Sequence, residues 1–109
     1  MAYNEKLAQR ARKILAAHPG VIEKKMFGGL AFIIRGNMFC GVLNEDLIVR
    51  TGPEGYEGAL AEPHVRPMDI TGRPIKSMVF VGPKGYRSDE GLNKWIQRGL
   101  EFALSLPPK

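Results

Sequence analysis

Five charged residues between positions 50 and 76 form the set best suited to bind an anion. Arg50 ends a predicted strand, and Arg66, Asp69, Arg73 and Lys76 lie in the proline-rich connection that follows. Guanidinium groups bind carboxylates and phosphates bidentately, so this arginine cluster could hold a small anion or an acidic partner. The alternative is an internal Arg–Asp pair, centred on Asp69, that pins the connection to the sheet. We favour the internal pair.

A second set of cations lies on two predicted helices. Lys6, Arg10 and Lys13 follow helical spacing on the first helix, and Lys94 and Arg98 stand one turn apart on the last. If the helices lie side by side, these cations could contact the phosphates of a nucleic acid. Few side chains that read bases stand among them, so we expect any such binding to be weak and non-specific. The alternative is an ordinary solvated face.

Composition agrees with an anionic partner of some kind. The chain carries 16 Lys and Arg against 11 Asp and Glu, a net charge of +5. This balance favours a nucleic acid or an acidic protein as the macromolecular partner, although a small soluble domain can carry the same charge for solubility alone.

Residue types that bind metals or carry catalysis are few and isolated. Cys40, His18 and His64 lack the paired spacing of zinc sites. Cys40 stands among apolar residues of a predicted strand, where we expect a buried small side chain and not a nucleophile. We therefore expect no metal, no cofactor and no enzymatic activity. The rival interpretation is an enzyme or an anion receptor built on the arginine cluster.

The elements that must position these residues begin with a β-meander at residues 24–50. Predicted strands at 30–35 and 38–43 are joined by Gly36-Asn37, and a turn at 44–46 leads to a strand at 47–50. Both faces of these strands are apolar, which predicts a cover on each side. We expect helices on one face and a second copy of the chain on the other, giving a homodimer.

Three helices are predicted around the meander. The first starts at a capping Asn4 and stops before Pro19-Gly20, the second runs from Thr51 to about Glu62, and the third follows a capping Ser88. Between the second and third helices we expect a brief strand at residues 68–71 and a stronger one at residues 78–81.

These elements predict one α+β domain over residues 1–109, in the order α-β4-α-β(1-2)-α. The expected architecture is a two-layer sandwich of an antiparallel β-meander with flanking helices. No basic-then-apolar leader and no long apolar run occurs in the sequence, so we expect a cytoplasmic protein without a membrane span.

Several blocks in fixed order resemble the N-terminal domain of the TfoX/Sxy family. They are KKMFGGLAF at 24–32, GNMFCGV at 36–42, LIVRTGPE at 47–54, RPMDITGRP at 66–74 and the closing helix with Trp95. The resemblance implies a sandwich similar to secretion chaperones, a fold often found as dimers. It also implies a role beside transcription factors in regulating natural competence, with no catalytic residues to carry over. The C-terminal domain of the full regulators has no counterpart here, so we expect a stand-alone domain.

The sequence therefore predicts a non-enzymatic binding module that acts through protein–protein contacts in transcriptional regulation. Two alternatives stay open: weak, non-specific binding of nucleic acid by the basic helix faces, and binding of a small anion by the arginine cluster.

Overall fold

A computed structural model describes residues 3–26, 28–69, 72 and 75–108 of the chain. Its described part is an α+β fold of six antiparallel strands and three α-helices, which confirms the predicted class. In chain order the elements are α1 (Glu5–Leu15), β1 (Val21–Met26), β2 (Gly29–Ile34), β3 (Asn37–Leu43), β4 (Asp46–Arg50), α2 (Gly52–Leu60), β5 (Val65–Pro67), β6 (Met78–Val81) and α3 (Asp89–Leu104), with a 3-10 turn at Pro83–Gly85 before α3.

The sheet has the order β1-β2-β3-β4-β6-β5. The first four strands form the predicted meander. The β2–β3 turn lies one residue earlier than the predicted Gly36-Asn37: Arg35 and Gly36 have positive φ (54° and 81°), and Asn37 begins β3. Two consecutive positive φ values are typical of the hairpin turn whose twist matches that of the strands. A bulge in β3 pairs Phe32 with Cys40 and Ile33 with Met38 and leaves Phe39 without a partner opposite it.

The predicted caps start two of the helices. The Asn4 side chain accepts a hydrogen bond from the Leu7 N–H at 3.0 Å, and Ser88 Oγ accepts one from the Gly91 N–H at 2.9 Å. Both helices therefore begin with one of their free N–H groups satisfied.

The main core lies between the helices and one face of the sheet. Helix α3 buries Leu92, Trp95, Ile96 and Leu100 against it. At Gly99 the helix approaches the bulge of β3 so closely that an added Cβ would lie 2.2 Å from the Phe39 carbonyl oxygen. Glycine is therefore required at this position of the helix.

The opposite face of the sheet, here called the outer face, carries a smaller apolar cluster. Ile48, Met68 and Phe80 are buried in it. Met68 belongs to the connection after β5, so the chain itself covers the outer face around β4 and β6. The chain therefore supplies part of the second cover that the sequence predicts. At β1 the same face is uncovered, and Ile22 is 60% and Met26 40% exposed.

The brief strand expected at residues 68–71 lies earlier. Strand β5 is Val65–Pro67 and pairs with β6 at the edge of the sheet. An edge strand tolerates Pro67, whose missing N–H can face away from the ladder. Ile70 and Thr71, the end of the expected strand, lie outside the described residues.

Within the described ranges, no helix has the length and apolar character needed to cross a bilayer.

Candidate functional site

Arg50, the first member of the arginine cluster, is engaged inside the molecule. Its Nη1 donates a hydrogen bond to the Met38 carbonyl oxygen at 3.2 Å, and its guanidinium carbon lies 5.3 Å from the centre of the Phe102 ring. Among the described residues its buried Nε finds no hydrogen-bond acceptor. The side chain therefore links β4 to β3 and α3.

Arg66 forms the internal Arg–Asp pair, with an acid that the sequence did not single out. Its two terminal nitrogens donate to the two Asp46 carboxylate oxygens at 3.0 and 2.7 Å. The guanidinium carbon also lies 5.2 Å from the centre of the Phe80 ring. The hydrogen bond to Asp46 raises the pKa of Arg66, although desolvation opposes it. The pair pins β5 to β4 across β6.

The remaining members of the cluster do not join this pair. Asp69 and Lys76 are exposed, and no ion pair in the described part of the chain connects Asp69 to Arg50, Arg66 or Lys76. Arg73 lies outside the described residues. The structure therefore gives Arg50 and Arg66 separate partners and does not bring them together on one acid.

The basic residues of the helices divide into two groups. Helices α1 and α3 are in contact: Arg10, on α1, reaches the residues at the start of α3. Its Nη2 donates to the carbonyl oxygens of Tyr86 and Arg87, both at 3.0 Å, and to Asp89 Oδ1 at 3.2 Å. Arg98 likewise pairs with Glu62 and lies 4.6 Å from the centre of the Trp95 ring.

The other three cations of this set, Lys6, Lys13 and Lys94, are exposed. The predicted basic surface therefore keeps three lysines, while both arginines hold elements of the fold together.

The residues considered for metal binding or nucleophilic chemistry lie apart. Cys40 is fully buried, and desolvation raises the pKa of its thiol well above the usual value. His18 and His64 accept backbone hydrogen bonds at their carbonyl oxygens, from Val21 and Gly82 respectively. In the part of the chain that the structure describes, no three His, Cys, Asp or Glu residues form a group that could hold a metal ion.

A surface that sequence reasoning missed lies at β1, the first strand of the sheet. Lys24 and Lys25 are exposed there. Both carboxylate oxygens of Glu23 accept a hydrogen bond from Arg12 Nε, each at 2.9 Å. A groove of about 110 Å³ separates β1 from α1. Its lining residues are Arg12, Leu15, Ala16, Val21, Glu23 and Phe32. We call strand Val21–Met26 with this groove the β1 edge. The sequence signal was the charged run at 23–25, which interrupts an otherwise apolar meander.

Comparison with known families gives one match that covers most of the chain. The family model described as the TfoX N-terminal domain matches residues 13–103, from within α1 to the last turn of α3. A search of curated proteins gives no match.

Proposed function

The chain belongs to the TfoX N-terminal domain family, and from this premise we propose that it is a non-enzymatic protein-binding module of transcriptional regulation. The observation that carries the proposal is the family match over residues 13–103. Regulators that this chain resembles act beside other transcription factors in natural competence. The proposed activity is therefore contact with another protein in the cytoplasm.

The disposition of the charged residues supports binding over chemistry at the sites first considered. Arg50 and Arg66 use their guanidinium groups within the fold, and so do Arg10 and Arg98. Surface available to a partner lies instead at the sheet edge and on the outer face. Exposed apolar side chains next to cations, such as Ile22 beside the lysines of β1, are suited to a protein surface.

The proposal also includes a homodimer, with the uncovered part of the outer face as the contact. Met68 already covers that face around β4 and β6, so the dimer contact would centre on the part nearer β1 and β2. A symmetric contact between two copies of one apolar patch is the usual form of such a dimer.

Affinity capture from native lysate at physiological salt tests the proposed function. The tagged chain should enrich a defined set of proteins that includes a transcription factor or a subunit of the transcription machinery. An unrelated tagged domain of similar size and net charge is the control for electrostatic adsorption. Enrichment of the same proteins by both baits, or of none by either, would contradict the proposal.

Non-specific nucleic-acid binding is the second candidate, favoured by the exposed lysines Lys6, Lys13 and Lys94 on two helices that contact each other. Three phosphate contacts confer weak, steeply salt-dependent affinity. Labelled duplex DNA should therefore bind at low salt and be released near about 150 mM salt. Nanomolar binding that persists at the higher salt would place nucleic acid ahead of protein as the partner.

A further inference from the structure

We propose that the β1 edge binds an extended, acidic segment of a protein partner, which adds to the sheet as a seventh strand. This inference rests on the proposed function and names the site and the chemistry of the partner. It follows from the unpaired backbone of the strand, its charge and the side chains on its two faces.

The backbone of β1 is open along one side. The strand pairs with β2 alone and is six residues long, whereas the strand at the other edge, β5, has three residues and includes Pro67. Alternate residues of an edge strand direct their N–H and C=O groups away from the sheet. Strand β1 is therefore the better template for an added strand.

The charge of β1 selects an acidic segment. Lys24 and Lys25 are exposed and take part in no ion pair within the described ranges. Glu23, the acid next to them, is already bound by Arg12. The edge thus presents two uncompensated cations, and carboxylates on an added strand would lie directly opposite them.

The two faces of β1 specify the remaining side chains of the segment. On the outer face, Ile22 and Met26 flank Lys24 and are among the most exposed apolar side chains of the described chain. On the other face, Val21 borders the groove against α1. An added strand would cover the first two with apolar side chains and place a small apolar side chain over the groove.

If the segment adds antiparallel to β1, each β1 residue specifies the type of residue opposite it. Opposite Met26, Lys25, Lys24, Glu23, Ile22 and Val21 in turn, the segment reads apolar, acidic, acidic, neutral polar, apolar and small apolar. The hexapeptide core Leu-Glu-Glu-Thr-Ile-Val meets this pattern.

A second copy of the chain fits the same edge poorly. Two β1 strands related by a two-fold axis can place Ile22 opposite Met26 of the second copy only when Lys24 faces its own equivalent at the axis. The same register sets Lys25 opposite Glu23, but the Glu23 carboxylate is already paired with Arg12. Like charges directly opposite each other destabilise a strand pair. A distinct acidic partner is therefore the occupant that the edge favours.

The test uses the full chain and a fluorescein-labelled peptide with the core Leu-Glu-Glu-Thr-Ile-Val, followed by anisotropy at low and physiological salt. One control peptide replaces both Glu with Lys, and another replaces Thr with Pro, which keeps the charge but removes a ladder N–H. The protein variants are the double change Lys24→Glu with Lys25→Glu, the milder Lys24→Gln with Lys25→Gln, and Lys6→Glu with Lys94→Glu as a charge-matched control on the helices.

We expect the peptide to bind the parent and the helix control equally, and to bind the Lys24→Glu, Lys25→Glu variant at least about tenfold more weakly. That variant should prefer the lysine peptide instead. The proline peptide should bind the parent about tenfold more weakly, and hydrogen exchange at residues 22–26 should slow only with the first peptide.

Three results would overturn the inference. Equal binding of the proline peptide would mean attraction between charges without an added strand. Equal binding by the β1 variants would place the peptide elsewhere and leave the lysines as protection against edge pairing. Slow hydrogen exchange at residues 22–26 in the peptide-free dimer, lost on dilution to the monomer, would make a second copy the occupant of the edge, because packing on the outer face alone leaves the β1 backbone open.

Lysate capture separates this inference from the proposed function. If the parent and the Lys24→Glu, Lys25→Glu variant capture the same partners, the β1 edge is rejected and the proposed function stands. If the parent captures no specific partner, the proposed function itself is rejected.

Discussion

The same substitution, glycine to alanine, should have opposite effects on stability in two helices of this protein. Gly99 of α3 lies against β3, where an added Cβ would be 2.2 Å from the Phe39 carbonyl oxygen and 3.2 Å from its carbonyl carbon. Gly58 of α2 is exposed, and an added Cβ there would meet nothing within 4 Å. The two sites share the backbone effect of alanine and differ in the space available.

The expected magnitudes follow from adding two effects. Alanine in a helix interior stabilises by about 0.5–1 kcal/mol relative to glycine, so Gly58→Ala should raise the free energy of unfolding by this amount. At Gly99 the helix must move away from the strand by roughly 1 Å, and overpacking of this kind costs about 1–3 kcal/mol or more. Because the clash is with backbone, we place Gly99→Ala near the upper end, for a net loss of about 2 kcal/mol.

Urea denaturation measures both changes. Trp95, the chain's one tryptophan, is buried in α3 and provides a fluorescence signal, and far-ultraviolet circular dichroism provides a second probe away from the mutated turn. For a domain of this size the Gly99→Ala loss corresponds to a melting temperature lower by about 10 °C. A Gly99→Ala protein as stable as the parent would refute the close approach of α3 to β3. A destabilised Gly58→Ala would refute the open surface of α2.

Three further predictions concern the ion pair, the thiol and the assembly. Asp46→Ala should lower the free energy of unfolding by about 1 kcal/mol. This value is discounted for solvent screening, because Arg66 is 53% exposed although Asp46 is only 17% exposed. An equal or larger loss in Asp69→Ala, measured in the same melts, would contradict Asp46 as the main structural acid of this region. Cys40 should not react with thiol reagents until the chain unfolds, and rapid labelling of the folded parent would contradict its buried position. Stability should also fall as the pH rises above about 9, because the unfolded thiol ionises there while burial keeps the folded thiol protonated. The Cys40→Ala protein should lack this part of the pH dependence. Light scattering at micromolar concentration should give about 24 kDa, twice the 12.1 kDa of one chain, for the proposed homodimer; a mass of 12 kDa would exclude it at that concentration.

Features encoded by neighbouring residues could be predicted from the sequence. The caps at Asn4 and Ser88, and the β2–β3 turn to within one residue, depend on side chains and φ preferences within a few positions of each other. The α+β class followed from these local elements and their order.

Features that depend on strand register could not be predicted in the same way. Asp46 reads as part of a turn, and only the placement of β5 beside β6 and of β6 beside β4 brings it to Arg66. The requirement for glycine at Gly99 likewise depends on the bulge at Phe39, in a distant part of the chain. The position of β5, three residues earlier than expected, was decided by pairing with β6 in competition with a weak local strand preference.

The position of β6 between β4 and β5 has a consequence for synthesis of the chain. Strands β1 to β4 follow one another and can pair as soon as they leave the ribosome, but β4 then remains an unprotected edge until β6 has also been made. Leu47, Ile48 and Val49, all fully buried in the finished fold, are exposed during that interval. Chains that end before Met78 should therefore associate with chaperones or aggregate more than chains that include β6 and α3, which together pair the β4 edge and cover Leu47 and Val49.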